Sequence, residues 1–136
     1  VYRSAEEIGQ MFSDILGMNT EETVALGMFD RSMRLIDVVP CARGSVNTAS
    51  FALRTLVETA VAHKAASVAV AHNHPSGSPI PSTADVALTV DLCRAFHAVK
   101  ISFIDHFVVT SSEWSPITRQ KHEAYSDMTD SFYEKQ

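Results

Sequence analysis

Two cysteines, one tryptophan and no long apolar run are what this 136-residue chain offers where many folds would need more. Cys41 and Cys93 are far apart and neither belongs to a Cys-x-x-Cys pair, which excludes both a disulfide framework and a thiolate metal cluster. Each reads as a reduced core or near-core thiol. No stretch approaches the length that crosses a bilayer, and the first residues, Val-Tyr-Arg-Ser-Ala-Glu-Glu, carry no basic-then-apolar leader. Cation clusters are missing too. Eleven Lys and Arg are scattered singly against sixteen Asp and Glu, giving a net charge of -5. Phosphate neutralisation needs clustered cations, so direct nucleic-acid binding by this domain is disfavoured. The chain reads as cytoplasmic with no membrane partner. Because Val1 is not an initiator Met, a processed chain or a fragment is expected, with room for an upstream domain.

What is present is enough for one α/β domain over residues 1–136, with a hydrophobic content of 46%. Ser4 and Glu7 form a capping-box pattern ahead of Ile8, Met11, Phe12 and Ile15, predicting a helix over 4–17. Residues 22–30 and 33–42 read as a hairpin of strands separated by Asp30-Arg31-Ser32. Leu53, Leu56, Val57, Ala60 and Val61 repeat at helical spacing within 50–64, and Ser67-Val-Ala-Val-Ala71 reads as a buried strand. A long helix over 82–99 and a core strand over 101–109 follow. Beyond Thr110 comes a turn with a short edge strand, then a polar tail from 118 to 136 with weak helical character and a frayed end. The early hairpin makes a mixed sheet flanked by helices the expected architecture.

The chemistry concentrates between His72 and Asp85, in His-Asn-His-Pro-Ser-Gly-Ser-Pro-Ile-Pro-Ser-Thr-Ala-Asp. At i and i+2 on a strand, His72 and His74 emerge on one face. Glycine and proline at 75–81 break regular structure, and the chain restarts at Ser82 as a helix carrying Asp85 in its first turn. Two imidazoles and a carboxylate make a three-ligand set for zinc with a fourth position open to water. A bare His-x-His is a weak signal; the strand, the loop and Ser-x-x-Asp together are specific. Ser82 and Asp85 also form a capping box, which suits a metal ligand because it fixes the first turn and leaves one carboxylate oxygen available. The Ser82 hydroxyl is alternatively placed to donate to an oxyanion beside the metal.

These residues resemble the JAMM (MPN-type) zinc metalloprotease motif in the form found in bacterial RadC-like proteins, the UPF0758 family. Ser4-Ala-Glu-Glu, Phe29-Asp30, Gly44-Ser-Val-Asn and Asp105-His106 support the same register. The resemblance implies a JAMM/MPN fold, related in architecture to the cytidine deaminases, with Zn2+ held by His72, His74 and Asp85. It implies amide hydrolysis of a peptide or protein substrate, with Ser82 stabilising the tetrahedral intermediate. The deaminases themselves are disfavoured, since His-x-Glu and Pro-Cys-x-x-Cys are absent.

Against the family's Pro-Arg-Glu at the helix before the motif strand, this chain has Leu53-Arg54-Thr55, so the general-base glutamate expected there is missing. Glu58, one turn further along that helix, is the candidate replacement base; on its own it reads as a solvated helix residue. Thr55 therefore favours an alternative class, a metal-binding or protein-interaction module that hydrolyses nothing. The DNA-repair label attached to RadC-like proteins gives a third idea, indirect at most, since a basic face and an upstream helix-hairpin-helix region are lacking.

Overall fold

The computed structural model describes residues 1–44 and 48–118, together with the helical backbone, but not the side chains, of residues 48–51. The predicted tail over 118–136 lies outside the described residues except for Thr118. Eight elements run in the order α1 (Ala5–Leu16), β1 (Thr23–Phe29), β2 (Leu35–Arg43), α2 (Thr48–Ala62), β3 (Ser67–Asn73), α3 (Thr83–Ala98), β4 (Ser102–Val109) and β5 (Trp114–Pro116). The sheet order is β2-β1-β3-β4-β5. Only β3 and β4 pair in parallel, with α3 as their crossover; the other neighbours are antiparallel. The mixed sheet expected from the sequence is thus observed.

Alternation along β1 and β3 builds two cores. Val24, Leu26, Met28, Val68 and Val70 face Leu56 and Ala60 of α2 and Leu88, Leu92 and Phe96 of α3. Ala25, Phe29, Ala69 and Ala71 face Ile8, Phe12 and Leu16 of α1, with Phe107 and Val109 of β4. Each large apolar side chain buried this way contributes roughly 1.5–3 kcal/mol. The result is three layers, α2 and α3 on one side and α1 on the other.

The hairpin differs from expectation at its turn. Rather than three residues, it spans five, because Asp30 Oδ1 accepts from both Ser32 N and Arg34 N and Met33 takes a φ of 61°. β3 also runs two residues beyond Ala71, carrying its pairing through His72 and Asn73. Cys41 is half-buried, Cys93 is buried, and neither is in a disulfide. Among the described residues, no helix is long and apolar enough to cross a membrane.

Candidate metal centre

His72 sits near the end of β3, and His74 follows it with its amide bonded to Val109 O at 2.9 Å, so the backbone stays tied to β4 past the strand. A turn then closes, Gly77 N donating to His74 O at 3.0 Å with Gly77 at φ 91°, a conformation that suits glycine. The chain re-enters regular structure at Ser82, the N-cap of α3, and both halves of the capping box form. Ser82 Oγ accepts from Asp85 N at 3.1 Å and Asp85 Oδ2 accepts from Ser82 N at 2.8 Å. The cap engages Oδ2. Oδ1 lies 2.6 Å from His72 Nδ1, while Oδ2 is also 3.0 Å from His74 Nε2.

One ligand atom from each of His72, His74 and Asp85 lies within 4.8 Å of the others. Ligands around a tetrahedral ion at imidazole distances are about 3.4 Å apart, so the group needs little movement to hold one. Two further features fit an ion. His74 Nδ1 lies 3.0 Å from Ser78 O, an acceptor only, which places the proton on Nδ1 and turns the Nε2 lone pair toward Asp85. His72 Nε2 is buried without a hydrogen-bond partner among the described residues, and such an orphaned atom in a native fold calls for an explanation.

The electrostatics agree. Burial works against the Asp85 charge, but hydrogen bonds from His72, His74 and the Ser82 amide overcome it and hold the carboxyl well below the usual carboxylate range. The His74 imidazole is raised, chiefly by its hydrogen bond to Asp85, against an opposing effect of burial. Without a metal, the Asp85 carboxylate thus favours a second proton on His74, in the space between them that a cation would take over.

The three side chains open onto a cavity of about 520 Å³, walled by Val24 and Leu88 and reached by Ser82. Its other carboxylate is Glu22. Oε2 of Glu22 stands 3.6 Å from His72 Nε2, and the side chain is one-third exposed. Strand register explains the placement. Val24 pairs with His72 across antiparallel β1 and β3, so Glu22, two residues before Val24, comes out on the same face beside His74.

Glu58 does not join this group. Its carboxylate takes the Arg54 side chain at 2.6 Å on the exposed face of α2, and it is absent from the cavity wall. Thr55 is likewise exposed there, its carbonyl accepting from Thr59 Oγ1. Counting back along the chain put the base on α2, whereas the fold supplies a carboxylate from the start of β1. Glu21-Glu22 ahead of an apolar strand was the only signal available for it, and it is indistinguishable from ordinary surface charge.

Behind this group, Thr89 donates to Asp85 O at 2.7 Å and lies 2.8 Å from Nδ1 of fully buried His106. With the Thr89 hydrogen committed to Asp85, His106 Nδ1 carries the proton and donates. Burial pushes the His106 imidazole down to about 4. Its ring stacks with that of His72 at 6.4 Å between centroids.

Comparison with known proteins gives the family. The family model for the RadC-like JAB domain matches residues 2–122. A UPF0758 protein of Halorhodospira halophila is 49% identical over 88 residues, covering 64% of this chain and 39% of that protein. One from a Polaromonas species is 44% identical over 98 residues, 72% of this chain and 44% of that protein. A third, from Herminiimonas arsenicoxydans, is 36% identical over 110 residues, 81% and 49% of the two lengths. The chain thus spans less than half the length of these curated relatives. Its fold and its match over most of its length place it in the RadC-like JAB domain family.

Proposed function

We propose that this chain is a zinc-dependent hydrolase of peptide or isopeptide amide bonds, with His72, His74 and Asp85 as the zinc ligands. The observation that carries the reading is the convergence of those three side chains and the Glu22 carboxylate on one cavity. Bound zinc supplies Lewis acidity there and makes water a usable nucleophile near neutral pH. Glu22 accepts the proton of the attacking water and passes it to the departing amine nitrogen. Ser82 Oγ already accepts from Asp85 N, which leaves its hydroxyl hydrogen to donate to the carbonyl oxygen as negative charge develops. Val24, Ala84 and Leu88 give the substrate an apolar wall.

The non-hydrolytic alternative rested on Thr55, and Thr55 lies outside the cavity. Among the described residues no Lys or Arg lines the cavity, which favours an amide over a phosphodiester. Two cysteines outside any disulfide suit a reducing cytoplasm.

Zinc content and turnover of a mixed peptide and isopeptide library test the reading. Stoichiometric zinc in the wild type, its loss in His74→Ala, and turnover abolished in Glu22→Gln with zinc retained are the expected results. Zinc without turnover dependent on His72, His74 and Asp85 overturns hydrolysis; no bound metal overturns the site.

A further inference from the structure

Asn73, between the two histidines, points to the opposite side of the sheet. It continues the row of Ala69 and Ala71 that faces α1, and it is 1% exposed. A buried carboxamide must find partners for its oxygen and its amino group, and Asn73 finds all of them in one distant segment. Oδ1 accepts from Thr23 N at 2.6 Å. Nδ2 donates to Glu21 O at 3.1 Å and to Asn19 O at 3.3 Å. Glu22 lies between two of the residues so bound.

The other side of that segment is held as well. Gly44 N, just past the end of β2, donates to Glu22 O at 2.9 Å. The main chain around Glu22 is therefore fixed from β3 through a side chain and from β2 through the backbone. Val24 pairs with His72 by an ordinary ladder. One step beyond, the Asn73 side chain takes over where the ladder stops. A serine or alanine at 73 is too short to reach three main-chain partners, and an aspartate would set an oxygen against the Asn19 and Glu21 carbonyls.

We propose that Asn73 is a positioning residue for Glu22, clamping residues 19–23 so that the Glu22 carboxylate faces the two histidines whose strand Asn73 shares. The metal-binding strand thereby carries its own register pin for the base. This rests on the reading of Glu22 as the base, and the test separates the two.

The whole chain, labelled with carbon-13 at glutamate carboxyls, is loaded with Co2+ as a paramagnetic probe. Wild type, Asn73→Ala and the isosteric Asn73→Asp are compared, with Glu22→Gln assigning the Glu22 signal. In the wild type, Co2+ broadens the Glu22 carboxyl resonance. Both variants are expected to bind stoichiometric Co2+ and to lose most of that broadening. The Thr23 amide is expected to exchange faster with deuterium while the Leu26 amide, in the middle of β1, stays protected. Undiminished Glu22 broadening in the Co2+-loaded variants overturns the proposal. So does loss of Leu26 protection in step with Thr23 in both variants, which would make Asn73 merely structural. A wild-type Glu22 signal untouched by bound Co2+ overturns instead the reading of Glu22 as base.

Discussion

The carboxylate of Glu22 and the outer nitrogen of His72 face each other at 3.6 Å, although fifty residues separate them in the chain. That nitrogen is buried and makes no hydrogen bond among the described residues. A carboxylate and an unpartnered imidazole nitrogen at this spacing leave a small polar gap between strand β3 and the approach to β1, open on the side where the cavity lies. On the proposed reading, a substrate carbonyl and a water entering there would meet a proton acceptor on one side and the zinc-binding group on the other.

Glu22→Gln is therefore expected to keep zinc and to lose turnover by about 10²–10⁴-fold, the usual contribution of a general base. Glu58→Gln breaks only an exposed i,i+4 pair with Arg54, costs at most about 0.5 kcal/mol, and leaves turnover unchanged. Steady-state kinetics beside zinc analysis of the two variants checks this; equal losses in both would return the base to α2.

The convergence of His72, His74 and Asp85 was legible in the sequence because every part of it is local. Strand parity aims His72 and His74 together, and Ser82 with Asp85 starts a helix one loop later, so spacing alone carries the geometry. Glu22 was not legible, because its place depends on β1 pairing with β3 in one register, and pairing between distant strands leaves no local pattern. Glu58 was drawn in by a gapless count along α2, but a position along a helix says nothing of which way the exposed face turns. The hairpin was foreseen, yet its turn grew by two residues. A side chain bonding its neighbours' amides, as Asp30 does, competes with the ladder at a strand end.

Gly9 in α1 separates two opposing effects. In a helix interior, alanine ordinarily beats glycine by about 1 kcal/mol. A Cβ at Gly9 would sit 2.5 Å from Trp114 Cδ2, and Trp114 is itself edge-packed on Phe107, with ring centroids 6.2 Å apart. Overpacking of this kind costs typically 1–3 kcal/mol, so Gly9→Ala is expected to be net destabilising by about 1 kcal/mol. Urea unfolding followed by the fluorescence of the single tryptophan measures both the loss and the shift in its surroundings. A stabilised variant would mean that the ring retreats freely.

Acid should weaken the metal-free chain through His106. His106 is neutral in the fold down to about 4, against an ordinary 6.5, so between those values the unfolded chain holds a proton that the folded one refuses. The stability from neutral His106 is complete above 6.5 and falls away toward pH 4, by about 3 kcal/mol at 1.36 kcal/mol per unit. His74 acts in the opposite sense. Its raised value contributes stability below 6.5 that is lost as pH climbs through the folded value, so it does not steepen the acid limb. Asp85, held low, adds its own loss only as pH drops below its ordinary 3.8. Denaturant unfolding from pH 7 to 4.5 is expected to show the slope, flattened in His106→Gln. The same steepness in that variant would assign the acid sensitivity elsewhere.

Ser82 carries two duties that two substitutions can pull apart. Its Oγ caps α3 by accepting from Asp85 N, and its hydroxyl hydrogen is the one proposed to meet the developing oxyanion. Alanine removes both and costs about 1 kcal/mol of stability, whereas glycine is a tolerable N-cap and costs only a few tenths. Neither can donate a hydrogen bond. Ser82→Gly and Ser82→Ala are therefore expected to differ in melting temperature and yet to lose turnover equally. Removing one oxyanion donor lowers kcat by about 10²–10³-fold, with little change in zinc content. Should turnover instead track stability, with glycine nearly as active as serine, the hydroxyl is only a cap. The oxyanion would then have to find its donor at the main-chain amide of Ser76, which also lines the cavity beside Pro75, a residue with no N–H to give.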